Sequence, residues 1–217
     1  MRRISSWFRN FVVINCLFIL CMLAGCTRRE IKNIDSKGKN IICFGDSLTF
    51  GYGVSPGEDY PTALSRMTNI PVFNKGIDGN TSTDGVVRLE EDVLAQDPLL
   101  VIIEFAGNDF LKKVPIATTD KNIRLMIDKI QAKGAMVAVV DISAGGLFLN
   151  EYHDLMRRIA YDKGVIFVPR VLTKILTNPG MKSDFLHPNP RGYQIFAQRV
   201  YKAIQPYLAR NASLRNK

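Results

Sequence analysis

Histidine, cysteine and tryptophan are scarce in this chain: 2, 4 and 1 among 217 residues. Imidazole chemistry therefore has only two addresses, His153 and His187. Cys16 and Cys21 lie in an apolar N-terminal stretch, Cys26 follows it, and Cys43 sits in a later apolar run. With so few thiols spread this way, no disulfide framework is available, and the folded part must be held by packing. A membrane-spanning run is also missing. The apolar stretch 11–24 has 14 residues, where a spanning helix needs about 20. There is no internal repeat and no low-complexity segment. The formal net charge is +9, but the positive residues form no stripe. Arg2, Arg3 and Arg9 crowd one end and Arg210, Arg215 and Lys217 the other. Without a recognisable nucleic-acid motif, this argues against a DNA or RNA partner and for a basic surface near anionic lipid.

The N-terminus has the layout of an export signal: a positive segment, a short apolar core and small residues. Its end, "LAGC" (23–26), resembles the lipobox of bacterial lipoproteins, in which the cysteine is acylated and becomes the first residue. The expected organisation is a signal peptide over 1–25, a polar tether over 26–39, one domain over 40–208 and a basic tail over 209–217. Lipidation at Cys26 would place the protein on the bacterial cell envelope. Thr27, rather than Asp, after that cysteine points to the outer membrane.

Past the tether, continuous apolar runs alternate with helical patterns. The runs 41–44, 71–74, 99–105, 135–142 and 165–168 read as strands covered on both faces. Between them Val86, Leu89 and Val93 recur at helical spacing, as do Ile123, Met126, Ile127 and Ile130, and Tyr152, Leu155, Met156 and Ile159. A last helix carries Tyr193, Phe196, Ala197, Val200 and Ile204 on one face, with Asn189 as N-cap and Pro190 at its first position. Such strand–helix units predict an α/β fold, a five-stranded parallel sheet with helices on both sides.

Ligands of open parallel sheets bind beyond the carboxyl ends of the strands. Four polar or glycine-rich motifs fall at that rim: "GDSLT" (45–49), "KGIDGNT" (75–81), "AGND" (106–109) and "DFLH" (184–187). Each alone fits an ordinary turn; their joint placement carries the argument. A serine hydroxyl needs a base to take its proton, and the base needs a third group to hold its tautomer. His187, three residues after Asp184, suits that role. His153, off the apolar stripe of its helix, reads as a surface or boundary residue. An oxyanion needs fixed donors. The Ser47 and Gly79 backbone N–H groups and the Asn108 amide can supply them. Asp46 and Asp109 read as loop organisers. Phe110, Leu147 and Phe148 are candidates for an acyl groove, or for packing the loops down.

These blocks resemble the SGNH, or GDSL, hydrolases: Ser47 in "GDSLT", Gly79 in "NKGIDGNT", Asn108 in "GND" and His187 in "DFLHP". The resemblance covers 40–208 and is nearest to the branch of bacterial thioesterase I/lysophospholipase L1 and arylesterases. It implies a flavodoxin-like three-layer α/β/α sandwich and a catalytic Ser47–His187–Asp184 triad. It also implies an oxyanion hole of Ser47, Gly79 and Asn108. No metal and no cofactor is implied. The expected activity is hydrolysis of small-molecule carboxylic esters: acyl esters, lysophospholipids or thioesters. The alternatives are an acyl- or glycan-binding envelope lipoprotein, a sugar O-acetyl esterase and an acyltransferase.

Overall fold

The computed structural model describes residues 30–144 and 150–216. Cys26, Leu147 and Phe148 lie outside the described residues. Five parallel strands form one sheet: β1 (Ile41–Gly45), β2 (Val72–Gly76), β3 (Leu100–Glu104), β4 (Met136–Val140) and β5 (Ile166–Val168). Their spatial order is β2-β1-β3-β4-β5. The helices are α1 (Ser47–Phe50), α2 (Tyr60–Thr68), α3 (Ser82–Asp92), α4 (Gly107–Leu111), α5 (Ile116–Ala132), α6 (Asn150–Lys163) and α7 (Pro190–Arg215).

Side chains alternate across a strand, and here both faces are apolar. Ile41, Cys43, Leu100, Ile102, Met136 and Ala138 pack with Tyr60 and Leu64 of α2 and with Tyr193, Phe196 and Val200 of α7. Ile42, Phe44, Val101, Ile103, Val137 and Val139 pack with α3, α5 and α6. The helical stripes read from spacing all turn inward: Ile123, Met126, Ile127 and Ile130 are buried, as are Tyr152, Leu155, Met156 and Ile159. Asn189 caps α7 by accepting from the Gly192 N–H at 3.0 Å, with Pro190 at the first position. Cys43 is buried and free, and burial pushes its thiol well up.

Two expectations need correction. The run 71–74 was expected to be covered on both faces, but β2 is the edge strand and Phe73 is exposed. An edge strand has one neighbour only, so apolar composition alone does not bury it. The tether and tail boundaries also shift. Ile34 is buried against the sheet, and Asn33 Nδ2 donates to the Gln131 and Ala135 carbonyls at 2.8 and 2.9 Å. Helix α7 continues through Pro206 to Arg215. Proline removes one helical hydrogen bond, but contacts beyond it hold the helix. Buried Asn211 donates to the Ile34 and Ser36 carbonyls, both at 2.9 Å, and Arg215 to the Gly38 carbonyl at 3.0 Å. Residues 31–38 and 209–215 thus clasp each other across the sequence.

Asn211→Leu strands two buried carbonyls while keeping side-chain volume. It should cost about 1–3 kcal/mol, read as a lower urea midpoint at unchanged slope.

Candidate active site

The order 2-1-3-4-5 sends the chain outward from β1 to β2 and then back past β1 to β3. Loops after β1 and β3 therefore diverge, and a crevice opens at this switch point. Ser47 follows β1 and Asn108 follows β3. Gly45 lets the turn form: a Cβ there would overlap Thr49 Oγ1 and the Glu104 carboxyl group. Asp46 caps α1 by accepting the Leu48 N–H at 3.0 Å. This places Ser47 at the helix N-terminus, largely buried, with its hydroxyl at the cleft.

His187 arrives from the segment before α7. His187 Nε2 lies 2.9 Å from Ser47 Oγ, and Nδ1 lies 2.8 and 3.0 Å from the two Asp184 carboxylate oxygens. Asp184 also accepts the backbone N–H groups of Leu186 and His187, at 2.7 and 2.8 Å. Its partial burial pushes the carboxyl group up, but the imidazole and these N–H donors outweigh that and hold it below the usual range. The loop is closed at its base. The Ser183 N–H donates to the His187 carbonyl at 2.9 Å, and Lys182 bridges to Pro188. The Tyr52 ring lies against the imidazole at 4.6 Å between centroids, and Tyr193 Oη donates to the Tyr52 carbonyl at 3.2 Å.

Asn108 sits one residue into α4. Its Nδ2 donates to Asp46 Oδ2 at 3.2 Å and to the Asn80 carbonyl at 3.1 Å. Gly79 lies between Asn80 and Asp78, which lines the cleft. Its φ of 75° suits glycine, and a Cβ there would meet nothing within 4 Å. Lys112 Nζ donates to the Gly79 carbonyl at 2.8 Å. Just before α4, Ala106 has a φ of 140°, a strained conformation for a residue with a side chain. The two aspartates differ in their partners. Asp109 accepts from the Ser82 N–H, the Ser82 hydroxyl and the Thr119 hydroxyl. Asp46 bonds the Leu48 N–H and Asn108.

A cleft of about 450 Å³ opens beside Ser47 and His187. Phe110, Leu111, Ile142, Ala144, Leu172 and Leu176 supply apolar walls. Phe110 thus lies in the cleft lining and also meets the Tyr152 ring edge-on at 6.2 Å. Among the described residues no group of three or more His, Cys, Asp or Glu side chains could hold a metal ion.

Two acidic features escaped the sequence reading. Glu104, the last residue of β3, is fully buried beneath Asp46. It stands in the apolar run 99–105, where a lone carboxyl at the strand's rim end was the available signal. Asp141, at the end of the fourth run, is buried too, and His153 Nδ1 lies 2.6 Å from its Oδ2. Asp141 also accepts the Ser143 and Arg170 N–H groups, at 2.8 and 2.9 Å. His153 is therefore a paired boundary residue, apart from the Ser47 cluster, that ties α6 to the loops after β4 and β5.

A hydroxyl, an imidazole and a carboxylate in one hydrogen-bonded chain, at the switch point of a parallel sheet, define the serine-hydrolase class. Residues 43–195 match the GDSL-like Lipase/Acylhydrolase family, and the chain belongs to it. It is 28% identical over 180 residues to an arylesterase of Vibrio mimicus, covering 78% of this chain and 90% of that one. It is 25% identical over 173 residues to thioesterase 1/protease 1/lysophospholipase L1 of Escherichia coli strain K12, covering 76% and 83%. A solved structure of TesA superposes with a TM-score of 0.71 at 25% identity, over 77% of this chain and 99% of that one. The chain is a carboxylic ester hydrolase.

Burial pushes the Asp46 carboxyl up to about 6, against the pull of the Leu48 N–H, of Glu104, of His187 and of Asn108. A raised folded-state value means the native protein holds its proton longer than the unfolded chain does. The wild type therefore loses stability as pH rises from about 4 through 6. Asp46→Asn removes this loss, so its unfolding free energy relative to wild type should rise across that window, by roughly 1–3 kcal/mol. Urea titrations at pH 4, 5, 6 and 7 test this; parallel curves would contradict it.

Proposed function

We propose that Ser47, His187 and Asp184 hydrolyse acyl esters through an acyl-enzyme. The observation that carries this reading is the 2.9 Å contact between Ser47 Oγ and His187 Nε2, with Asp184 on the opposite ring nitrogen. His187 takes the hydroxyl proton as Ser47 attacks the ester carbonyl. Asp184 keeps the proton on Nδ1, so that Nε2 is free to accept, and stabilises the imidazolium that forms. The ester oxygen becomes an oxyanion received by the Ser47 and Gly79 backbone N–H groups and by Asn108. Nδ2 of Asn108 bonds Asp46 Oδ2 and the Asn80 carbonyl, so the N–H on the Asn80 carbonyl is the one that turns to the oxyanion while the Asp46 contact holds the side chain. His187 then protonates the leaving alcohol. Water, activated by the same imidazole, releases the acid.

The apolar cleft favours substrates with an acyl chain over compact polar esters. Of the relatives' named activities, lysophospholipid, thioester and aryl ester cleavage all place an acyl group beside the serine. No helix among the described residues is long and apolar enough to cross a membrane. The lipobox-like "LAGC" ending at Cys26 supports a lipid-anchored protein of the bacterial cell envelope, where acyl esters are at hand, and Thr27 in place of Asp favours the outer membrane in a cell that has one.

Ser47→Ala should lower p-nitrophenyl butyrate turnover by about 10⁴-fold or more and abolish fluorophosphonate labelling, with circular dichroism unchanged. A labelled or comparably active variant would overturn the assignment. Cys26→Ser should move the full-length protein from the membrane to the soluble fraction of expressing cells and remove palmitate incorporation. Membrane retention with intact palmitate labelling would contradict the anchor.

A further inference from the structure

The mechanism above leaves the buried carboxyl group of Glu104, beneath Ser47, unused. Glu104 is fully buried at the end of β3. Its Oε2 accepts the Thr49 hydroxyl at 2.8 Å and lies 3.4 Å from the Asp46 N–H. The Thr49 hydroxyl in turn lies 3.2 Å from Tyr60 Oη. No N–H or hydroxyl donates to the other oxygen, Oε1, and the Asp46 carboxyl group is the further hydrogen-bond partner of the Glu104 side chain. Two carboxyl groups buried side by side are costly, and an aliphatic side chain would serve the core better. Its contacts, however, fall on the residue before Ser47 and on the residue two beyond it. They grip the turn that carries the hydroxyl from both sides. Through Asp46 the grip extends to Asn108, whose amide bonds Asp46 Oδ2.

We propose that Glu104 is a positioning residue of this hydrolase, clamping the Asp46–Thr49 turn so that Ser47 Oγ faces His187 Nε2 and Asn108 faces the oxyanion. The inference rests on the Ser47 reading, but touches neither substrate nor reacting atoms. It acts through Asp46 and Thr49.

The surroundings specify the form in which Glu104 does this. Asp46 faces it from the β1–α1 turn, Cys43 from β1, Tyr60 from α2 and Tyr193 from α7, and Asp59, the cap of α2, acts on Cys43 and Tyr193 in turn. His187 lies beyond Asp46, and Arg88 of α3 reaches the Gly45 carbonyl at 2.8 Å. Among the described residues no cation pairs with the Glu104 carboxyl group. Burial, reinforced by the Asp46 charge, holds it well above the usual range. Glu104 therefore works as a neutral group that accepts from Thr49 and donates its own O–H to the Asp46 carboxylate, which a glutamine amide can imitate and a methionine of similar length cannot.

The test compares Glu104→Gln and Glu104→Met in the full chain, with p-nitrophenyl butyrate hydrolysis and fluorophosphonate labelling rates. A displaced nucleophile costs turnover and leaves binding intact. Glu104→Met should therefore lose about ten- to a hundredfold in kcat and in labelling rate, with KM within about twofold. Glu104→Gln should stay within about threefold of wild type on all three. If the methionine variant does not fold, Thr49→Val removes the same contact from the other side and should slow labelling by about fivefold at unchanged KM. Labelling at the wild-type rate by Glu104→Met, or by Thr49→Val where it stands in, overturns the inference. So does a Glu104→Gln variant as slow as Glu104→Met. Wild-type protein that fails to label at Ser47 overturns the earlier mechanism instead, so the two failures are distinguishable.

Discussion

A hydrogen bond of 2.9 Å joins two side chains 140 positions apart, Ser47 and His187. Parallel strands make this contact possible, because every strand delivers its carboxyl end to the same rim. The chain reverses its winding between β1 and β3, and the crevice opens where the loops part. Ser47 and Asn108 enter from the two sides of that crevice. His187 is brought over by the segment that precedes α7, whose buried face is anchored on the sheet. Misplacing α7 would separate the imidazole from the hydroxyl, so the packing of Tyr193, Phe196 and Val200 holds this contact as well as filling the core.

Below the rim, polar groups are buried at a cost that packing alone would not justify. Asp46, Glu104 and Asp109 are all hidden from solvent, and each fixes a loop that carries a residue of the site. Asp109 ties the start of α3 to α4 and α5 through Ser82 and Thr119. Ala106 adds backbone strain at the same place. The stability spent here is supplied by two apolar layers, one on each face of the sheet, without any disulfide among the described residues. Precise orientation is what such spending gains, since a hydroxyl a fraction of an ångström out of line with its base is a poor nucleophile.

The ends of the folded part show a further division of labour. Residues 31–38 and the last turns of α7 hold each other through Asn211 and Arg215. Asn33, Ser36 and Gly38 share a surface pocket with Lys133 and Gly134. Residues 31–38, though polar in composition, thus belong to the folded body.

Periodicity alone located α3, α5, α6 and α7, because each turns a stripe of side chains inward and the stripe survives in the spacing, whereas α1, α2 and α4 were not read from it. Ile123, Met126, Ile127 and Ile130 are an example. The strand cores, the Asn189–Pro190 helix start and the four rim motifs were legible for the same reason: short-range chemistry leaves a short-range trace. Strand order, the exposure of β2 and the clasp at Asn211 were not, since each depends on which neighbour arrives from far along the chain. Glu104 was hidden by its setting, one acid at the end of an apolar run, and His153 by a partner twelve residues earlier. Residue types and local spacing marked Ser47, His187, Asp184 and Asn108 as candidates for one site. Only the tertiary structure decided which imidazole meets the hydroxyl, because that choice is made by packing over long separations.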